Sequence, residues 1–173
     1  MPAPFQIRVF YPGRTGELVL RTELDWQRDL APTRLDLAAG RADFQVPSER
    51  SYLEYKPCLR SAGSFAWSAG TNKLALQPGP SDVYPHFFSG LRGRITGRVV
   101  RPSSVLGRSL AVRVYLPPGH DENTLKRYPV LFMQDGQNLF FPQEAFLGQE
   151  WEVDETLDQL DEMNVIDEVI VVG

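Results

Sequence analysis

The stretch YPVLFMQDGQNLFFP, residues 128–142, decides how this chain is read. Val130, Leu131, Phe132 and Met133 form a continuous apolar run, the pattern of a strand buried on both faces in a parallel sheet. Pro129 stands at the start of the run, where a strand tolerates proline. The run stops at Asp135-Gly136, a turn-forming pair. The expected strand therefore ends in a loop carrying Asp, Gly, Gln and Asn. In open α/β sheets, ligands and reacting groups sit outside the carboxyl ends of the strands.

Downstream, residues 152–163 carry a helical pattern. Val153, Leu157, Leu160 and Met163 make one apolar stripe, while Asp154, Glu155, Asp158 and Asp161 fall off it and read as a solvated face. Acids in the first turns favour the helix dipole. Asn164 is the expected stop. Residues 169–172 form a second apolar run, which completes a strand–loop–helix–strand crossover. Upstream, GRITGRVV (93–100) and SLAVRVYL (109–116) alternate and are predicted to pair as a hairpin. In the second, Ala111, Arg113 and Tyr115 share one side. The polar loop 120–127 follows, and its His120 reads as a solvated loop histidine.

The first half reads differently. Phe5, Ile7 and Val9 alternate with polar residues, and short strands are expected at 18–20, 44–46, 52–55 and 65–67. Turn signals at Pro12-Gly13, Thr15-Gly16, Gly40, Pro47, Gly63 and Gly70 bound them. This spacing predicts a β-sandwich over residues 1–85. The Pro/Gly-rich stretch QPGPSDVYPHFFSG (77–90) marks the boundary, with the linker placed at 86–92 and the second domain at 93–173.

Ala66-Trp67-Ser68-Ala69-Gly70, followed by Asp82 and His86, imitates a hydrolase nucleophile elbow and its triad. An elbow needs a buried strand before the serine and a helix after it. Here Thr71-Asn72 and then Pro78-Gly79-Pro80 follow, leaving no room for that helix. We reject this triad.

Composition excludes several classes. The net charge of −4, with acids and bases interspersed, argues against a nucleic-acid partner. One cysteine, Cys58, allows neither an internal disulfide nor a cysteine metal cluster; it reads as a buried small side chain. No metal and no cofactor is expected. The start MPAPFQIRVF lacks the pattern of a secretory signal. No apolar run approaches the ~20 residues that cross a bilayer. A cytoplasmic protein with no membrane partner is the expectation.

RVYLPPGHD, YPVLFMQDGQNLF, WEVDETLDQL and VIVVG, in that order and spacing, resemble the opening of the esterase family of α/β-hydrolases. That family includes enterochelin-esterase-like and feruloyl-esterase-like enzymes. The resemblance runs from about Gly93 to Gly173. It implies an α/β plus all-β chain: an N-terminal sandwich, then the first strands and helix of an incomplete α/β-hydrolase sheet. It also implies a Ser-His-Asp acyl-transfer chemistry whose serine lies on a later G-x-S-x-G elbow, outside this chain. The chain alone is then expected to be inactive, and a second chain or a missing C-terminal half would supply the rest. One oxyanion-hole donor would be the backbone N–H of Gly136 or Gln137. Asp135, Asn138 and Trp151 would line the site of an ester substrate, sugar-linked in some relatives. By family strand order, the strand at 128–133 pairs with 169–172 and leaves its other edge apolar and open.

The first half resembles the isoamylase-type carbohydrate-binding sandwich, through Trp26, Tyr55-Lys56 and Trp67-x-x-Gly70-x-Asn72. Trp26, Tyr55 and Trp67 are thus candidate sugar-stacking rings, although tryptophan on a sandwich strand is more often core. The alternative function is a noncatalytic module that docks a carbohydrate or a partner.

Overall fold

The computed structural model describes residues 4–13 and 16–173; the predicted turn at Thr15 lies outside them. Among the described residues the chain is mostly β, in several sheets, with a single α-helix. It divides into two compact units. One comprises Met1–Ser89 and Asp121–Lys126, the other Gly90–His120 and Arg127–Gly173.

Among the described residues the first unit holds nine strands: β1 (Phe5–Phe10), β2 (Glu17–Thr22), β3 (Asp25–Leu30), β4 (Arg34–Asp36), β5 (Arg41–Val46), β6 (Tyr52–Ser61), β7 (Ser64–Trp67), β8 (Lys73–Leu76) and β9 (Pro80–Val83). They form two sheets. One runs β4-β5-β1-β9; the other runs β3-β2-β6-β7, with β8 also paired to β6. Alternation works as predicted: Phe5, Ile7 and Val9 are buried. They pack with Ala42, Phe44 and Val46 of their own sheet, and with Leu20, Leu53, Tyr55 and Ala75 of the other, in one apolar cluster. Two sheets with a shared core are the arrangement of a sandwich.

Strand β6 extends well beyond the predicted 52–55 and runs through Pro57. It can do so because β8 pairs with Tyr52–Tyr55 and β7 with Cys58–Ser61, so Pro57 falls in the gap between these partners. Buried Cys58 has its thiol pushed up to about 12 by desolvation, which leaves it inert.

Residues 121–126, read in sequence as part of a loop of the second half, cluster with the first unit. Asn123 is buried, and its amide donates to the carbonyls of Phe10 and Pro85, 2.8 Å each. The Glu122 carboxylate accepts the N–H groups of Phe87 (2.7 Å), Phe88 (3.0 Å) and Ser89 (2.7 Å), and the hydroxyls of Ser89 (2.9 Å) and Tyr11 (3.1 Å). Desolvation pushes this carboxyl up, but the bonds from Phe87, Phe88 and Ser89 outweigh it and hold Glu122 below the usual carboxylate range.

The second unit holds β10 (Arg94–Ile95), β11 (Val99–Ser103), β12 (Arg108–Val112), β13 (Val114–Leu116), β14 (Val130–Phe132), the helix α1 (Val153–Glu162) and β15 (Ile170–Val172). Four strands make a sheet in the order β10-β13-β15-β14, with β14 and β15 parallel. The predicted hairpin exists but is split. Its outer half is the separate ribbon β11–β12, and its inner half, β10–β13, joins the sheet. The division falls at Arg113, whose N–H and carbonyl pair with Gly173 instead (2.9 and 3.0 Å).

One expectation fails. The apolar run of β14 is not buried: Val130, Leu131 and Phe132 are 48%, 45% and 76% exposed. The strand is parallel as expected, but it lies at the sheet edge with β15 as its one partner, so burial on both faces is not reached.

Helix α1 packs Val153 and Leu157 against the core of Tyr115, Leu139, Phe140 and Val171. Its acids are not all a solvated face. Asp158 accepts the Tyr115 hydroxyl (2.7 Å) and the Gly93 N–H (2.9 Å). Burial, together with a hydrogen bond to Glu155, pushes the Asp154 carboxyl up to about 7.

Two pH effects of opposite sign follow. Glu122 binds protons less tightly folded than unfolded, so its contribution is present above about pH 4.5 and lost as pH falls through its lowered folded value. Glu122→Gln should cost about 2 kcal/mol at pH 7. It should remove hydrogen-exchange protection at Phe87, Phe88 and Ser89, and its gap to the parent should shrink below about pH 4. Asp154 binds its proton more tightly folded than unfolded, so stability falls between about pH 4 and about pH 7 and is flat above. Asp154→Asn should therefore raise the unfolding midpoint more at pH 8 than at pH 4, as measured by thermal unfolding at both.

Candidate functional site

The loop after β14 is built by two close backbone approaches. The Met133 N–H continues the ladder onto the Val172 carbonyl (2.9 Å). Asp135 then adopts a left-handed conformation (φ 56°), one that aspartate tolerates, and reverses the chain into a short 3-10 turn, Gly136–Asn138. Gly136 itself has no positive φ; its glycine is required by crowding. A Cβ there would lie 2.2 Å from the carbonyl carbon of Gly173. The turn uses the N–H groups of Asn138 (to Asp135 O, 2.7 Å) and Leu139 (to Gly136 O, 3.4 Å). The N–H groups of Gly136 and Gln137 have no acceptor among the described residues, as expected of the first residues of any helical turn.

Gly136 and Gln137 line a cavity of about 410 Å³ within the second unit. Its other walls are Arg98, Ala111, Arg113, Gln143, Glu144 and Gly173. Arg113 is held from several sides. Its Nε bonds Glu144 Oε2 at 2.8 Å and its Nη2 bonds Glu144 Oε1. Its Nη1 reaches the Thr96 carbonyl at 3.2 Å, and its guanidinium stacks over the Phe141 ring at 4.7 Å. The hydrogen bond from Arg113 holds the Glu144 carboxyl below the usual range against a smaller desolvation effect, with the Arg113 and Arg98 charges adding to it. Arg98 closes no ion pair among the described residues. The cavity thus offers two free backbone donors, two side-chain amides and a surplus guanidinium.

The other predicted residues of this loop lie off the cavity wall. Asn138 is a clamp: its Oδ1 accepts the Phe146 N–H (2.8 Å) and its carbonyl the Trp151 N–H (2.7 Å). Its side-chain acceptor is engaged in shaping the loop rather than turned to a ligand. Trp151 is 51% exposed, and Asp135 serves as the left-handed reversal.

The sandwich candidates divide. Tyr55 is 2% exposed and belongs to the core, so it has no open ring face for a sugar. Trp67 and Phe65 are exposed, at 41% and 36%, and meet edge to face at 5.5 Å. Half-buried Trp26 is 6.4 Å from Trp67. The Arg21 guanidinium lies over both Phe65 (4.2 Å) and Trp67 (5.0 Å), covering one face of each ring. Ser68 is buried after β7 and is followed by turns and then β8, so the elbow geometry is absent there. Asp82 pairs with Arg8.

Of the residues that line this cavity, the sequence singled out Gly136 and Gln137 and not Arg98, Gln143 or Glu144. A signal for Arg113 was present, since a period of two puts it on one side of its strand with Ala111. Nothing in the spacing signals Arg98, because it reaches the cavity only through the split of the hairpin. Among the described residues no group of three or more histidines, cysteines, aspartates or glutamates is placed to hold a metal, and no helix is long and apolar enough to cross a membrane.

No curated protein matches the chain. Residues 103–173, which hold the strand–loop–helix–strand run with Gly136 and Gln137, match the family described as Putative esterase.

Proposed function

We propose that the second unit is the oxyanion-binding part of a carboxylic-ester hydrolase whose nucleophile comes from polypeptide outside these 173 residues. The carrying observation is that Gly136 and Gln137, whose N–H groups have no acceptor among the described residues, line a cavity at the carboxyl end of a parallel strand. Acyl transfer from a serine passes through a tetrahedral oxyanion, and backbone donors aimed at that charge contribute about 3–4 kcal/mol each to its stabilisation. Esterase-family sequence over residues 103–173 supports this reading. The sheet order β10-β13-β15-β14 supports an α/β-hydrolase arrangement, in which a further parallel strand would cover the exposed edge of β14. The sequence holds no G-x-S-x-G motif, and buried Ser68 lacks the elbow.

A second reading rests on the exposed Trp67 and Phe65 edge of the sandwich, which suits carbohydrate stacking. A glycan array tests it: binding lost in Trp67→Ala supports the reading, and an empty array removes it.

A fluorophosphonate serine-hydrolase probe should leave the chain unlabelled, and labelling abolished by Ser68→Ala would overturn the proposal. Joined to sequence bearing a nucleophile, the chain should hydrolyse a nitrophenyl ester. Gly136→Ala, which drives a methyl into Gly173, should then lower kcat tenfold or more, on the order of a misplaced donor.

A further inference from the structure

The charge of the cavity exceeds what an oxyanion hole uses. Among the side chains that line it, two guanidinium groups, Arg98 and Arg113, stand against one carboxylate, Glu144, leaving one positive side-chain charge. Arg113 does not supply it: its Nε, Nη1 and Nη2 are all engaged, and its face rests on Phe141. The surplus lies at Arg98, which closes no ion pair among the described residues. Gln137 and Gln143 add neutral donors on the same wall, and Ala111 adds an apolar surface.

We propose that this cavity takes esters that carry a carboxylate away from the scissile bond, with Arg98 as the residue that reads that charge. The proposal rests on the ester reading of the cavity. A guanidinium presents parallel N–H groups that match the two oxygens of a carboxylate. One uncompensated cation suits a monoanion; a phosphate dianion would call for a second free cation, and Arg113 is already neutralised by Glu144. Because Glu144 fixes Arg113 in place, the charge around Arg98 is set without the ligand.

The test is a titration of the full isotope-labelled chain with monomethyl succinate and, separately, with uncharged dimethyl succinate. The Gly136 and Gln137 amide signals are followed at pH 7 and constant ionic strength. The charged ester should half-saturate at about tenfold lower concentration, the scale of one partly exposed ion pair. The ratio should fall towards one in Arg98→Gln, survive in part in Arg98→Lys, and shrink with added salt. Equal half-saturation by the two esters, or a ratio that survives Arg98→Gln, would overturn the charge preference and leave the ester reading standing. If neither ester moves these amides, both fail.

Discussion

The second unit depends on one change of partner. At Arg113 the strand leaves the ribbon β11–β12 and exchanges its backbone hydrogen bonds with Gly173. That exchange opens the hairpin and so opens the space that becomes the cavity. It also places Gly173 against Gly136: a Cβ on Gly136 would meet the Gly173 backbone at 2.2 Å, and one on Gly173 the end of the Leu139 side chain at 2.3 Å. The loop after β14 is thereby pressed onto the end of β15. Gly136 and Gln137 keep free N–H groups because the turn is too short to use them. Backbone pairing, glycine crowding and the bound guanidinium all meet at this junction.

The acids of the chain do structural work that their sequence positions conceal. Glu122, Asp158 and Glu144 are each isolated from other carboxylates in function. Each serves as an acceptor for donors that would otherwise be lost: three consecutive backbone N–H groups, a buried tyrosine hydroxyl with a glycine N–H, and a guanidinium. A carboxylate accepts at two oxygens and is strongest with charged or backbone donors, so a single one closes several bonds.

What was legible in the sequence follows the same logic. The alternation of Phe5, Ile7 and Val9, the apolar stripe Val153–Leu157 and the loop Asp135-Gly136 depend on local pattern, and they read correctly. Strands β3, β4 and β9 (DWQRDL, RLD and PSDV) were not foreseen, because they are polar and are made strands by their neighbours. All three lie at sheet edges, and β9 opens with a proline that an edge tolerates. Val130–Phe132 was legible as a strand and as parallel, but burial depends on a second partner, which no local pattern reveals. Asp158 read as surface because it stands off the apolar stripe, while its two donors come from residues 65 and 43 positions away in sequence.

The first unit is not a continuous length of chain. Its cluster closes only when Asp121–Lys126 returns to it, bringing Asn123 to the carbonyls of Phe10 and Pro85. A gene fragment cut after Ser89 would encode every strand of the sandwich and still lack the residues that seal it. Such a fragment would leave the Phe10 and Pro85 carbonyls without the Asn123 amide, so the module's natural boundary lies beyond its last strand.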